Sequence, residues 1–234
     1  MIEIEQIDVF YGEFQVLKNV SLKVGEKDLT ILTGPNGHGK STLLKAICGL
    51  QPVCSGRIRC AGEDITRLSP ERRVEKGIVY IAENRHLFPQ MSVLKNLKLG
   101  AYNQNARRDE AANLAAVFEL FPRLKERKKQ PASTLSGGEA RMLAFARGLM
   151  SNARFLAIDE PSLGLAPNLR MNVFNAIREV HKRGLTILLV EQNIPKIAEL
   201  ADRIHLLEEG EMTFSGDRET ALAQDTIKQA FLGM

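Results

Sequence analysis

The chain has 234 residues and a net charge of +4, with 44% hydrophobic and 26% charged residues. This composition is typical of a globular protein without membrane spans, because no segment approaches the roughly 18 consecutive apolar residues that a span requires. The basic residues are spread along the chain, which favours solvated helix ends over a nucleic-acid-binding surface. The acidic N-terminus does not fit a signal peptide, so we expect a cytosolic protein. Three cysteines without a close pair predict reduced thiols rather than a metal site.

The first segments along the chain predict a half-exposed antiparallel layer. Apolar residues alternate with polar or charged ones in 2–9 and again in 20–24, as expected for strands that bury one face. A short segment at Arg57–Cys60, bounded by glycines, shows a similar pattern.

A second type of strand is predicted from short, continuous apolar runs. Such runs are typical of parallel strands that are covered on both faces. They occur at Leu29–Thr33, Ile78–Ile81, Phe155–Ile158, Thr186–Val190 and Ile204–Leu207. Helical patterns separate several of these runs, including one that begins at Pro167 and stops at Gly184. Alternation of strands and helices predicts an α/β core.

Between residues 92 and 150 the strand pattern disappears and helical patterns dominate. They cover Leu94–Gly100, Asp109–Leu120 and Glu139–Met150. We therefore predict one domain, residues 1–234, with an inserted helical subdomain at approximately 92–150.

A glycine-rich segment between an apolar strand and a helix predicts a phosphate-binding loop. Its backbone N–H groups and the helix N-terminus would bind phosphate oxygens. Lys40 is expected to reach the β- and γ-phosphates of ATP, and Ser41 to supply a hydroxyl to Mg²⁺. The alternative is a glycine-rich turn that merely contains a lysine. The residues assigned to ATP are Gly34, Pro35, Asn36, Gly37, His38, Gly39, Lys40, Ser41 and Thr42.

Two adjacent carboxylates end the apolar run at Phe155–Ile158. Asp159 is expected to hold Mg²⁺, while Glu160 orients and polarises the attacking water. Alone, this pattern is also that of an ordinary strand end. In combination with the phosphate-binding loop, it predicts nucleotide hydrolysis.

A second anion-binding helix start is predicted near the end of the helical insertion. Ser136 would cap this helix, with Glu139 completing a capping box, and two glycines lie between them. A purely structural cap is the alternative, although one nucleotide does not obviously need two such helix starts in one chain. The whole segment is Leu135, Ser136, Gly137, Gly138 and Glu139.

With these motifs in this order, the chain resembles the nucleotide-binding subunits of ABC transporters. The resemblance implies an α/β P-loop NTPase core of ABC type, with the antiparallel layer and the helical subdomain. It identifies 135–139 as the signature motif, which would contact the ATP bound to a partner subunit in a head-to-tail homo- or heterodimer. It also implies that Tyr11 stacks on adenine and that the segment Ser162–Leu165 lies between the subunits.

Several segments resemble the smaller ATPase subunit of branched-chain amino acid importers. They are 119–127, 159–167, 189–193 and the C-terminal Phe-Leu-Gly at 231–233. In this subgroup Glu83 replaces the glutamine that senses Mg²⁺ and water, and Gln192 replaces the switch histidine that contacts the γ-phosphate. We therefore assign Glu160, Gln192 and Glu83 to catalysis, and Ser41, Asp159 and Glu83 to Mg²⁺.

Some positions depart from the subgroup. Ala82 and Asn84 alter the loop expected to face the membrane partner, and Ala140 and Arg141 replace a pair of glutamines. His38 occupies a place usually held by a small residue, and we interpret it as an exposed substitution without a catalytic role.

The resemblance implies a peripheral protein on the cytoplasmic side of the inner membrane that is soluble when isolated. Its partners would be a second ABC ATPase subunit, transmembrane permeases and, indirectly, a periplasmic solute-binding protein. Alternatives are an importer of urea, amides or another small solute, and a soluble ABC ATPase acting on ribosomes or DNA. A single cassette without sustained heptads disfavours the soluble class, and Glu160 disfavours a nucleotide switch that cannot hydrolyse.

Overall fold

The computed structural model describes residues 1–191 and 198–223, in which ten strands form two sheets. The smaller sheet is antiparallel, as predicted, with strand order β2-β1-β4-β5. Its strands are β1 Ile2–Tyr11, β2 Phe14–Val24, β4 Ser55–Cys60 and β5 Glu63–Asp64. Buried and exposed residues alternate along much of β1 and β2, so this sheet covers the core with one face.

The larger sheet has the order β10-β9-β3-β8-β7-β6 and is parallel except for β10, which pairs antiparallel with β9. Its strands are β3 Leu29–Thr33, β6 Ile78–Ile81, β7 Phe155–Asp159, β8 Thr186–Val190, β9 Arg203–Glu208 and β10 Glu211–Asp217. The five predicted apolar runs all form strands of this sheet. Strand β10 was not predicted, because its residues alternate between exposed and half-buried and include few large apolar side chains.

Helices cover both faces of the larger sheet and follow most of its strands. They are α1 Lys40–Ile47, α2 Pro70–Glu75, α3 Val93–Gly100, α4 Gln104–Arg108, α5 Glu110–Leu120, α6 Pro122–Glu126, α7 Gly137–Leu149, α8 Pro167–Lys182 and α9 Arg218–Ala223, with short 3₁₀ turns at Ala132–Thr134 and Ala198–Leu200. The predicted helical segment 92–150 contains α3 to α7. Its status as a separate subdomain remains a prediction, because its buried side chains continue the core on one face of the sheet.

The two faces of the parallel strands pack into different parts of the core. Along β7, Leu156 and Ile158 belong to the same part of the core as residues of α3, α7 and α8, whereas Phe155 and Ala157 belong to the part formed with α1 and the antiparallel sheet. This double burial explains why these strands are continuous apolar runs. No helix within residues 1–191 and 198–223 is both long and apolar enough to cross a membrane.

All three cysteines are free thiols, as predicted, with Cys48 and Cys60 buried and Cys54 exposed. Burial raises the pKa of the Cys48 thiol to about 12. The thiol is therefore protonated and unreactive at neutral pH.

Candidate active site

Four neighbouring parallel strands bring the predicted phosphate-binding and acidic residues to one edge of the larger sheet. Strands β3, β8, β7 and β6 are adjacent and point the same way, so their carboxyl ends lie side by side. The glycine-rich loop follows β3, Glu83 follows β6, and Asp159 ends β7. Ligand sites in α/β sheets form at this edge.

The glycine-rich loop, residues 34–39, closes over the start of α1. Gly39 caps the helix with a left-handed φ of 99°, and Leu43 N donates to Gly39 O at 2.9 Å. Gly34 has a φ of 142°, and a Cβ there would lie 2.0 Å from Leu207 O. Glycine is therefore required at position 34, because any side chain would collide with the backbone of β9.

The Lys40 ammonium lies inside this loop. Its Nζ donates to Gly34 O at 2.7 Å and to Pro35 O at 2.8 Å. Burial lowers the pKa of Lys40, while the carboxylates of Glu160 and Asp159 act in the opposite direction. A partly desolvated cation held inside a glycine-rich loop is suited to bind phosphate.

The Asp159 carboxylate is buried and accepts hydrogen bonds on both of its oxygens. Ser41 Oγ donates to Oδ1 at 3.0 Å, and Tyr80 OH donates to Oδ2 at 2.7 Å. Burial, together with the Asp159 charge, holds the pKa of Tyr80 far above its ordinary value. The phenol is therefore a permanent donor, and Asp159 is held directly beside the first turn of α1.

A cavity of about 330 Å³ lies over the loop at this edge. Glu83 and Glu160 line it opposite the glycine-rich loop, and Leu163 forms part of its wall. The other lining residues are Asn36, Gly37, Gly39, Lys40, Ser41 and Thr42. The predicted phosphate-binding groups and two carboxylates thus line one cavity.

The interpretation of His38 as an exposed side chain was wrong. His38 is half-buried, and its Nδ1 accepts a hydrogen bond of 2.9 Å from Glu209 N. The imidazole connects the loop to the turn between β9 and β10. Its side chain therefore has a structural role that a small residue could not fill.

The predicted capping box at the start of α7 is present. Ser136 Oγ accepts from Glu139 N at 3.3 Å, and Glu139 Oε2 accepts from Ser136 N at 3.0 Å. The backbone and side chain of Ser136 and the nearby Arg127 lower the pKa of Glu139. Ser136 and Gly137 remain exposed. None of the residues 135–139 lines the 330 Å³ cavity of the described chain.

Of the other predicted residues, Tyr11 lies apart from the cavity lining. Tyr11 ends β1 at the turn into β2, and 46% of its surface is exposed. Gln192 follows Glu191, the last residue before the undescribed segment 192–197, so this prediction lies outside the described residues.

Two side chains at the site were not identified as functional from the sequence. Tyr80 contacts Asp159, although its place inside an apolar run suggested only a strand residue. Arg141 stands where the related subgroup has a glutamine, and its Nη1 donates to Glu160 O at 2.9 Å. A large polar or charged residue inside an otherwise buried element was the available signal in both cases.

Known proteins match both the sequence and the fold. A family model described as ABC transporter matches residues 17–163. The chain is 39% identical to the high-affinity branched-chain amino acid transport ATP-binding protein BraG of Pseudomonas aeruginosa, over all of both chains. It is 35% identical to the probable branched-chain amino acid transport ATP-binding protein LivF of Archaeoglobus fulgidus, over 100% of this chain and 99% of the relative.

A solved ATP-binding cassette of an ABC transporter has a TM-score of 0.86 and 27% identity, covering 98% of each chain. A structure described as the ADP conformation of a cassette has a TM-score of 0.85 and 26% identity, covering 100% of this chain and 99% of that one. The sequence match and the shared fold agree. The chain therefore belongs to the ABC transporter family, as one of its ATP-binding, ATP-hydrolysing cassettes.

Proposed function

We propose that this chain binds MgATP in the 330 Å³ cavity and hydrolyses it to power import of branched-chain or other hydrophobic amino acids through separate membrane subunits. The observation that carries the chemical part is the cavity itself, where Lys40, Ser41, Glu83 and Glu160 face one another. Four further cavities of the described chain are lined without any residue of the loop 34–39.

The phosphates would lie against the loop 34–39, with Lys40 exchanging its carbonyl partners for β- and γ-phosphate oxygens. The residues fit Mg²⁺, because Ser41 and Asp159 place a hydroxyl and a carboxylate 3.0 Å apart. Magnesium is usually held by one or two carboxylates together with substrate phosphates. Glu83 would contribute a further oxygen from across the cavity.

Glu160 is the proposed group that orients and polarises the attacking water. It follows Asp159 directly and lines the same cavity as the glycine-rich loop. An ionised carboxylate positions the water for in-line attack and accepts a proton from it. Glu83 and Gln192 would assist at the γ-phosphate.

The exposed start of α7 supports a head-to-tail dimer with a second cassette, identical or paralogous. Ser136 and Gly137 are exposed to solvent and lie outside the cavity of their own chain. In the proposed dimer this helix start contacts the ATP of the partner subunit. Tyr11, exposed at the end of β1, would stack on the adenine.

Transmembrane permeases are the proposed partners on a neighbouring surface. A groove of about 620 Å³ lies beside the segment after β6 and includes the exposed side chains of Leu50, Phe88, Leu99 and Tyr102. Exposed apolar groups rimmed by polar ones are typical of protein interfaces. Docking there would place the chain on the cytoplasmic face of the membrane, with a periplasmic solute-binding protein engaged only through the permeases.

The names of BraG and LivF support amino acids as the solute. The test is uptake in cells that carry Lys40→Ala in place of the wild-type chain. We expect uptake of labelled leucine to be lost, while urea and acetamide uptake is unchanged. Loss of urea or amide uptake alone would support the alternative solute, and unchanged uptake of all three would contradict the importer role.

The same variant tests the nucleotide site in vitro. Lys40→Ala removes a charge-assisted phosphate contact, which should weaken nucleotide binding by about 1.5–3 kcal/mol or abolish turnover. ATP binding and hydrolysis equal to the wild type would show that the nucleotide lies elsewhere.

A further inference from the structure

Arg141 is a buried arginine in the first half of α7, the helix that begins with the signature segment. Only 9% of its surface is exposed, and its Nη1 donates to Glu160 O at 2.9 Å. This arginine departs from the pattern of the related subgroup, which has a glutamine there. A charged group thus joins the signature helix to the residue that we propose acts on water.

The main chain of Glu160 needs such support, because its φ is 42°, in the left-handed region. Non-glycine residues persist there only when their surroundings hold them. Glu160 N donates to Val190 O at 2.9 Å, and Glu160 O accepts from Leu163 N at 3.3 Å as well as from Arg141. Of these three hydrogen bonds, the one from Arg141 has a charged donor.

The charges around Arg141 explain why an arginine can be buried at this position. Burial and the neighbouring Arg85 lower the pKa of Arg141, whereas the carboxylates of Glu83, Glu191 and Glu160 raise it. Guanidinium groups stay protonated in proteins. The cation therefore lies among carboxylates from the segments that follow β6, β7 and β8.

We propose that Arg141 is a positioning residue through which the signature helix holds the main chain of Glu160 in the geometry required for hydrolysis. This inference rests on the proposed role of Glu160. Arg141 lies outside the cavity lining, so its loss should affect turnover rather than nucleotide binding. A neutral amide could supply a donor but not the charge.

The test compares Arg141→Met, which keeps the length of the stem, with Arg141→Lys, which keeps a cation. Turnover and the affinity for a fluorescent ATP analogue are measured on folded protein, checked by its melting temperature. We expect kcat to fall at least about tenfold in Arg141→Met, as for loss of a charge-assisted hydrogen bond. Arg141→Lys should be intermediate, and affinity should remain within about twofold in both, since neither group contacts the nucleotide.

Arg73→Lys is the matched control, because Arg73 is also buried and donates to Ala46 O and Ile47 O, away from Glu160. It should keep the wild-type kcat. The inference is overturned if Arg141→Met keeps the wild-type kcat or if kcat and affinity fall together. It is also overturned if Arg141→Lys has a kcat no higher than that of Arg141→Met. Near-normal turnover of Glu160→Gln would instead refute the proposed role of Glu160.

Discussion

Replacing Tyr80 by phenylalanine tests whether its hydroxyl holds Asp159. The ring fits the same space, so the change removes one hydrogen bond without creating a cavity. Tyr80 OH donates to Asp159 Oδ2 at 2.7 Å, and only 2% of the surface of Asp159 is exposed. A hydrogen bond to a charged group contributes about 1.5–3 kcal/mol, and water has little access to replace it.

We therefore expect Tyr80→Phe to lower the free energy of unfolding by about 1.5–3 kcal/mol. With a urea m-value of about 3 kcal/mol/M, the midpoint should shift down by roughly 0.5–1 M. The assay is urea unfolding without nucleotide, followed by circular dichroism and fluorescence. Coincident transitions are required before free energies are compared.

Tyr102→Phe is the matched control, because it removes a hydroxyl from a ring that is 75% exposed beside Arg107. Its unfolding midpoint should match the wild type, since surface changes usually stay within about 0.5 kcal/mol. Equal midpoints for Tyr80→Phe and the wild type would refute the reasoning, because the Asp159 carboxylate would then not depend on this donor.

Three further outcomes follow from the same geometry. Glu160→Gln should bind ATP but stall turnover, giving an ATP-dependent dimer on size-exclusion chromatography; near-normal turnover would assign the water to another residue. Gly34→Ala should destabilise the fold by well over 1 kcal/mol, because its Cβ would lie 2.0 Å from Leu207 O. In Gly37→Ala the added Cβ would have no atom within 4 Å, so the variant should cost only about 1–2 kcal/mol of left-handed backbone strain. Burial, with Arg203 nearby, lowers the pKa of His205 to about 4. The unfolded chain binds this proton more readily, so stability should fall by up to about 3 kcal/mol as pH drops from about 7 to about 4. His205→Gln should flatten that part of the pH–stability profile, and an unchanged slope in urea unfolding would contradict this.

Much of the fold was predictable because its signals are local. Strands buried on both faces need continuous apolar runs, and the bounds of β3, β6 and β8 matched the predicted runs. Glycines between a strand and a helix likewise predicted the loop around Lys40. The short helices α2, α4 and α6 were not predicted, since five or six residues contain too little periodicity to distinguish a helix from a turn.

The motifs also predicted a candidate site, through spacing along the chain and the resemblance to ABC cassettes. Their assembly depended on strand order, because β8 lies between β3 and β7 and brings Ser41 to Asp159 across 118 residues of sequence. The contacts of Tyr80, His38 and Arg141 were decided only by the tertiary structure. Each joins segments that are distant in sequence, and hydrogen bonds between such segments leave no periodic pattern in the chain. The sequence thus determined the fold class and the predicted phosphate-binding loop, while packing determined which side chains hold the Asp159 carboxylate and the main chain of Glu160.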